Sequence, residues 1–121
     1  MILLDSNIII YAAKPEFAYL RPLLSDPANS VSAFSMLEVL GYSRLVAIDK
    51  TFFEAAFGIL QVHDIDRAII EQAILIRQQK STSPGDALVA ATALRFGLML
   101  YTRNVSDFDW VPKLNVHNPV R

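Results

Sequence analysis

Met1-Ile2-Leu3-Leu4-Asp5-Ser6-Asn7-Ile8-Ile9-Ile10 is an apolar run with one carboxylate and two small polar residues set into it. A continuous run of branched apolar residues suits a parallel strand covered on both faces, the kind that lies centrally in an α/β sheet. The strand is expected to stop at Asp5. In open α/β sheets the carboxyl ends of the strands open into the crevice where ligands bind, so Asp5 is the first candidate functional residue. A buried carboxylate there is costly unless a partner neutralises it, and a divalent cation does this well.

Outward from this stretch, helices and strands alternate. Ile8 to Ala13 turns into a short helix limited by Pro15, and Ala18 to Ser25 is a second helical stretch closed by Asp26-Pro27. Ser30 to Phe34 reads as a second strand. Ser35-Met36-Leu37-Glu38 then opens a helix through about Val46, with Leu37, Leu40, Tyr42 and Leu45 available to its buried face. Asp49 is placed to cap the next helix, whose Phe52, Phe53, Ala56, Phe57 and Leu60 form an apolar stripe at helical spacing.

Val62 to Ile65 is a short third strand. Asp66 caps a long helix through about Lys80, with Ile69, Ile70, Ala73, Ile74 and Ile76 inward. Ser83 and Pro84 begin the sixth helix, with Ala87, Leu88, Ala91 and Leu94 inward, and Gly97 stops it. Leu98 to Tyr101 is a fourth strand, Val105 to Trp110 a short turn or helix, and Leu114 to His117 a final edge strand. This alternation predicts an α/β layer sandwich with right-handed crossovers and a mostly parallel sheet.

The totals narrow the function classes. A chain of 121 residues, 53% hydrophobic, fits one domain over 1–121 with a substantial core. It has no cysteine, which removes disulfides and thiolate chemistry and accords with a cytoplasmic location. No apolar run approaches a membrane span of roughly 20 residues, so no membrane partner is expected. Eleven Lys+Arg against 12 Asp+Glu give a net charge of −1, so any nucleic-acid contact must be local.

Asp5, Glu38 and Asp86 each follow a strand or open a helix beside one, and Asn104 with Asp107 forms a fourth polar point. Each has a structural explanation: Ser35-x-x-Glu38 and Ser83-x-x-Asp86 resemble capping boxes, Asp5 suits a helix cap, and Asn104 suits a turn. Together they mean more. In a parallel sheet the loops after the first, second and fourth strands emerge at one edge, and acids converging there repel one another unless a metal occupies the centre. Hard oxygen ligands, without Cys or a convergent His pair, favour Mg²⁺ or Mn²⁺, and such a site suits phosphodiester hydrolysis. His63 and His117 do not pair with the acids and read as packing or surface residues.

At these residues the chain resembles the PIN domain family, and within it the VapC-type ribonuclease toxins of bacterial and archaeal toxin–antitoxin pairs. The resemblance spans nearly the whole chain. It rests on Leu4-Asp5-Ser6-Asn7, on Ser35-Met36-Leu37-Glu38-Val39, on the run from Gly85-Asp86 to Thr92-Ala93, and on Thr102-Arg103-Asn104-Val105-Ser106-Asp107-Phe108. It implies a three-layer α/β/α sandwich, Mg²⁺ or Mn²⁺ on Asp5, Glu38 and Asp86, and endonucleolytic cleavage of RNA. The fourth family position falls to Asn104, the nearer group to the strand, or to the acidic Asp107. Ser6, where the family usually has Thr, and Thr102 are implied to support the site by hydrogen bonds.

The resemblance also implies a separate antitoxin protein, bound in a groove of the early helices, and a homodimer. Lys14, Arg44 and Arg103 are the cations nearest the motifs and are candidates for RNA phosphates. Two other classes fit less well. A PIN-fold module that binds RNA or protein without cutting has no need of converging acids. A phosphorelay receiver requires paired acids after the first strand, where this chain has Ser6-Asn7.

Overall fold

The first strand, β1 (Ile2–Leu4), has its last two residues fully buried, as an apolar run covered on both faces demands. In this computed structural model, which describes residues 1–121, β1 is the middle of a five-stranded sheet. The other strands are β2 (Ser30–Ser32), β3 (Gln61–His63), β4 (Met99–Tyr101) and β5 (Val116–His117). Their order is β3-β2-β1-β4-β5 and every neighbouring pair is parallel. The chain runs outward from β1 through β2 and β3, then crosses back to place β4 on the other side of β1. The strand order therefore reverses between β1 and β4, the place where such sheets open a crevice.

Six α-helices cover the sheet: α1 (Ser6–Ala12), α2 (Arg21–Leu24), α3 (Ala33–Leu40), α4 (Ala47–Ile59), α5 (Arg67–Gln79) and α6 (Pro84–Phe96). Successive strand residues point to opposite faces, and Leu3 and Leu4 accordingly belong to different cores. Leu3 packs with Ile69, Ala73, Ile76 and the alanine-rich face of α6; Leu4 packs with Ile8, Ile9, Val39, Phe53 and Phe57. The result is a three-layer α/β/α sandwich, as expected. No helix is long and apolar enough to cross a membrane.

Several local expectations are corrected. β2 ends at Ser32 rather than Phe34, because Ser32 itself caps α3, its hydroxyl accepting from Phe34 N–H at 3.1 Å. The capping box expected at Ser35 and Glu38 is therefore absent, and both residues lie inside the helix. Helix α3 stops at Leu40, where Gly41 takes the cap, so Tyr42 lies beyond it and is 57% exposed; Leu37 is inside the helix, but the side that faces inward carries Ser35 and Val39, and Leu37 is 71% exposed. Asp49 lies in the first turn of α4 while Val46 occupies the cap without a side-chain bond.

The stretch expected as one helix from Ala18 to Ser25 is a 3₁₀ segment, Pro15–Leu20, kinked at Phe17, followed by the four-residue α2. Strand β3 starts one residue before the expected Val62 and ends at His63 rather than Ile65, and β4 and β5 are shorter than expected. On α5 the inward stripe is Ile69, Ala73 and Ile76; Ile70 and Ile74 lie about 100° further round the helix and are 41% and 50% exposed. The caps at Asp66 and Ser83, the proline opening α6, and Gly97 in the left-handed conformation at φ 64° all agree with the sequence.

One contact sets α3 against α6. The Phe34 ring lies over Gly85, so close that a Cβ built on Gly85 would come within 2.5 Å of it. Gly85→Ala is expected to lower unfolding stability by about 1–3 kcal/mol, the usual range for overpacking. In urea denaturation the double variant with Phe34→Leu should lose less than the two single losses together; strict additivity would show that the ring and Gly85 are not coupled.

Candidate active site

Asp5 leaves β1 at the reversal of strand order and is 8% exposed. Its backbone N–H donates to the Tyr101 carbonyl of β4 at 2.9 Å, which ties the residue into the sheet. Its carboxylate caps α1, accepting from Ser6 N–H at 2.8 Å, and also accepts from the Thr102 hydroxyl at 2.8 Å. The structural and functional readings of Asp5 are thus compatible: one oxygen is spent on the helix, the other on a hydroxyl from the neighbouring strand. Burial pushes the carboxyl up from 3.8 to about 6; the Thr102 and Ser6 bonds oppose this, and Asp86 and Glu38 add to it.

Asp86 lies in the first turn of α6, where the Ser83 hydroxyl accepts from its N–H at 3.1 Å. Its carboxyl is also raised, first by burial, then by Asp107 and by Glu38, against a hydrogen bond with Ser83. Glu38 projects from the last turns of α3 and is exposed. Asp5, Glu38, Asp86 and Asn104 line one cavity of about 740 Å³, together with Ser6, Asn7, Lys14 and Arg44. The cavity continues over an apolar wall that includes Ile10, Val39, Leu45, Val46 and Phe53. Asp5 directly follows β1, Glu38 lies on the helix after β2, and Asp86, which was expected beside the loop after a strand, opens α6 in the turn from α5; the three meet on this one cavity.

Asp107 lies at the end of a 3₁₀ turn (Val105–Asp107), near enough to raise Asp86, but outside this cavity; it lines a neighbouring depression with Asp86, Ser83 and Trp110. Although three acids share the cavity, no group of three or more His, Asp or Glu side chains is placed to hold a metal ion. The Ser6 hydroxyl, expected to support the site, is buried and without a hydrogen-bond partner; only its backbone N–H contacts Asp5. His63 stacks on Phe96 at 4.1 Å and His117 packs against Tyr101, so neither histidine joins the acids.

Asn7 is the polar residue whose role the sequence does not disclose. Its amide nitrogen donates to Thr102 Oγ1 at 3.3 Å and, more weakly at 3.5 Å, to Asp5 Oδ2. Its amide oxygen accepts from Arg103 N–H at 3.2 Å. Thr102 in turn accepts from Asn104 N–H at 3.1 Å. A small polar network thus clamps the start of α1 to the loop after β4. The available signal is an amide in the first turn after Asp5, inside an otherwise apolar run.

The PIN domain family model matches residues 2–113. Among solved structures, a chain of a toxin–antitoxin complex from Klebsiella pneumoniae is 27% identical, with a TM-score of 0.81 over 100% of this chain and 99% of that one. FitAcB from Neisseria gonorrhoeae is 25% identical, with a TM-score of 0.77 over 98% of each chain. VapC20 from Mycobacterium tuberculosis, described as a sarcin–ricin loop cleaving toxin, shares the fold at 17% identity and a TM-score of 0.67, over 90% of this chain and 93% of that one. No curated protein matches the chain.

The position of Asp5 makes a pH prediction. Its carboxyl is raised in the folded state, so the fold prefers the protonated form: the relative stabilisation is fully present below pH 3.8 and is lost as pH rises from 3.8 through about 6. That shift corresponds to about 3 kcal/mol of folding stability forgone at pH 7 in the absence of a cation. In chelator, Asp5→Asn is expected to be more stable than the parent at pH 7 by about 1–3 kcal/mol, with the gain shrinking as pH falls through about 6 toward 3.8. Urea denaturation of both chains across pH checks it; a gain independent of pH would mean that Asp5 is not desolvated.

Proposed function

The chain belongs to the PIN domain family, and on that basis we propose that residues 1–121 form one metal-dependent endoribonuclease domain, the toxin partner of a separate antitoxin protein. The observation that carries the reading is the raised, buried Asp5 sharing one cavity with Asp86 and Glu38. A purely structural cap has no need of two further acids facing it, and their mutual repulsion is relieved only by a cation or protons.

By their chemistry, rather than by their spacing in this structure, the donors suit Mg²⁺ or Mn²⁺: all charged candidates are hard carboxylate oxygens, no thiol exists in the chain, and both histidines lie elsewhere. In this reading Asp5, Glu38 and Asp86 hold the ion, with Asn104 as the fourth polar group on the cavity and Asp107 as an acid behind Asp86. When bound, such an ion supplies an acidified water and charge stabilisation for phosphodiester hydrolysis.

The chain's own groups prepare that site. Thr102 and the Ser6 N–H fix the Asp5 carboxylate, and Asn7 locks Thr102 and the Arg103 backbone into the same frame. Lys14 and Arg44 on the wall offset the charge of an incoming RNA backbone that the acids would otherwise repel. The apolar wall of the cavity, with Tyr42 and Val46 exposed beside it, suits an antitoxin segment, and the toxin–antitoxin complex of the Klebsiella relative supports such a partner. A homodimer and a cytoplasmic location complete the proposal.

Total cellular RNA incubated with purified protein should yield discrete cuts, mapped by their ends, with Mg²⁺ or Mn²⁺ and none with chelator. Asp5→Asn and Asp86→Asn are each expected to lower cleavage by about 10²-fold or more while keeping the far-ultraviolet dichroism of the parent, as loss of a charge-stabilising group does. Full cleavage by Asp5→Asn would overturn the assignment, and RNA binding without cutting by the parent would favour a binding module. Asn104→Ala and Asp107→Asn in the same assay decide between the two fourth positions: the larger loss identifies the group at the cavity.

A further inference from the structure

Beside the acid cavity, two cations share one aromatic ring. Lys14 Nζ lies 5.1 Å from the centroid of the Tyr11 ring and the Arg103 guanidinium carbon 5.0 Å from it. The Arg103 guanidinium also donates to the Tyr11 hydroxyl. Tyr11 is half-buried on α1 and packs against Phe17 with ring centroids 4.9 Å apart, so the ring is a fixed support, while both cations are exposed. The Arg103 backbone is separately fixed by Asn7, the residue that also contacts Asp5 and Thr102. A continuous set of contacts therefore runs from the acid site through Asn7 and Arg103 to Tyr11 and Lys14.

Neither cation is neutralised. The ion pair within 4.0 Å in this structure is Arg67 with Glu71, far along the chain on α5. Two free cations gathered on one ring are costly to keep together in a protein of net charge −1 unless an anion approaches them. The ring attracts each cation to its face, which offsets part of their repulsion and limits the conformations of two long side chains.

We infer that Tyr11 is a positioning residue that presents Lys14 and Arg103 as a paired phosphate clamp for single-stranded RNA, at the edge of the acid cavity. The inference rests on the nuclease reading for its substrate class. Lys14 lines the acid cavity and Arg103 follows directly on Thr102, which touches Asp5; the clamp therefore takes a backbone phosphate close to the bond presented to the acids. Contacts of this kind set register on the strand and carry no base preference.

The test is a fluorescence-anisotropy titration of a short labelled single-stranded oligoribonucleotide of mixed sequence, with the full chain in chelator, at several salt concentrations. The double variant Lys14→Gln/Arg103→Gln should weaken binding by roughly tenfold and make the salt slope shallower by about 0.7, the amount for one single-strand phosphate no longer neutralised. Tyr11→Leu, which keeps both charges, should reproduce part of both effects, and Tyr11→Phe, which keeps the ring, should recover most of the binding. Thermal melting of each variant separates loss of fold from loss of the clamp, and the double variant at exposed positions tests it even if Tyr11→Leu is unstable.

A parent-like slope in the double variant would overturn the inference and leave these cations to an acidic protein partner. So would parent-like binding by Tyr11→Leu, or no binding by the parent. Cleavage by the parent in Mg²⁺, measured in parallel, reports on the other reading. Cutting with unchanged slopes overturns the clamp and keeps the nuclease. Shallower slopes without cutting keep the clamp and overturn the nuclease.

Discussion

The hydrogen bond from the Thr102 hydroxyl to the Asp5 carboxylate joins the ends of β1 and β4 across the point where the strand order reverses. Much of the site depends on it. Asp5 is fixed in the sheet by its own N–H, turned toward the cavity by the start of α1, and held there by a hydroxyl from a residue distant in sequence. The same Thr102 accepts from Asn7 and from the Asn104 N–H, so one side chain positions the first acid and the loop that carries the fourth polar group. Removal of that hydroxyl would leave the desolvated carboxylate with its helix-cap bond and a long contact to Asn7.

The arrangement illustrates a tension between folding and function. Both Asp5 and Asp86 are raised above the ordinary carboxylate range, chiefly by burial. Each also has a structural task at a helix start, and neither task requires the other acid nearby. Three carboxylates on one cavity are unfavourable for the isolated chain, as local rules broken at functional sites commonly are. The two leucines preceding Asp5, one in each core, help to over-determine the backbone that holds the first of them.

Much of the fold is legible in residues 1–10. The unbroken apolar run identifies a central parallel strand, and the carboxylate at its end falls at the crevice. The caps of α5 and α6 are readable because Asp66 and Ser83-Pro84 are local signals with a local physical cause. Helix α3 is not, because Ser32 and Ser35 are both plausible caps and only the register of β2 decides between them. Spacing alone turns Leu37, Ile70 and Ile74 inward, although which side of a helix meets the sheet is set by its neighbours. Asn7 stands within a motif, but its network joins residues about 95 positions apart, which no local pattern reveals. Tyr11 gives no signal of its own: its role appears only when α1 and the loop after β4 are brought together.

We propose that the cavity of Asp5, Glu38 and Asp86 takes up a divalent cation. Calorimetric titration of Mn²⁺ into the metal-free chain at neutral pH, with Asp5→Asn alongside, tests it most directly. A cation site there requires saturable binding by the parent that Asp5→Asn abolishes or weakens severely, while both chains remain folded. Equal binding by the two chains, or no saturable binding by the folded parent, would contradict it.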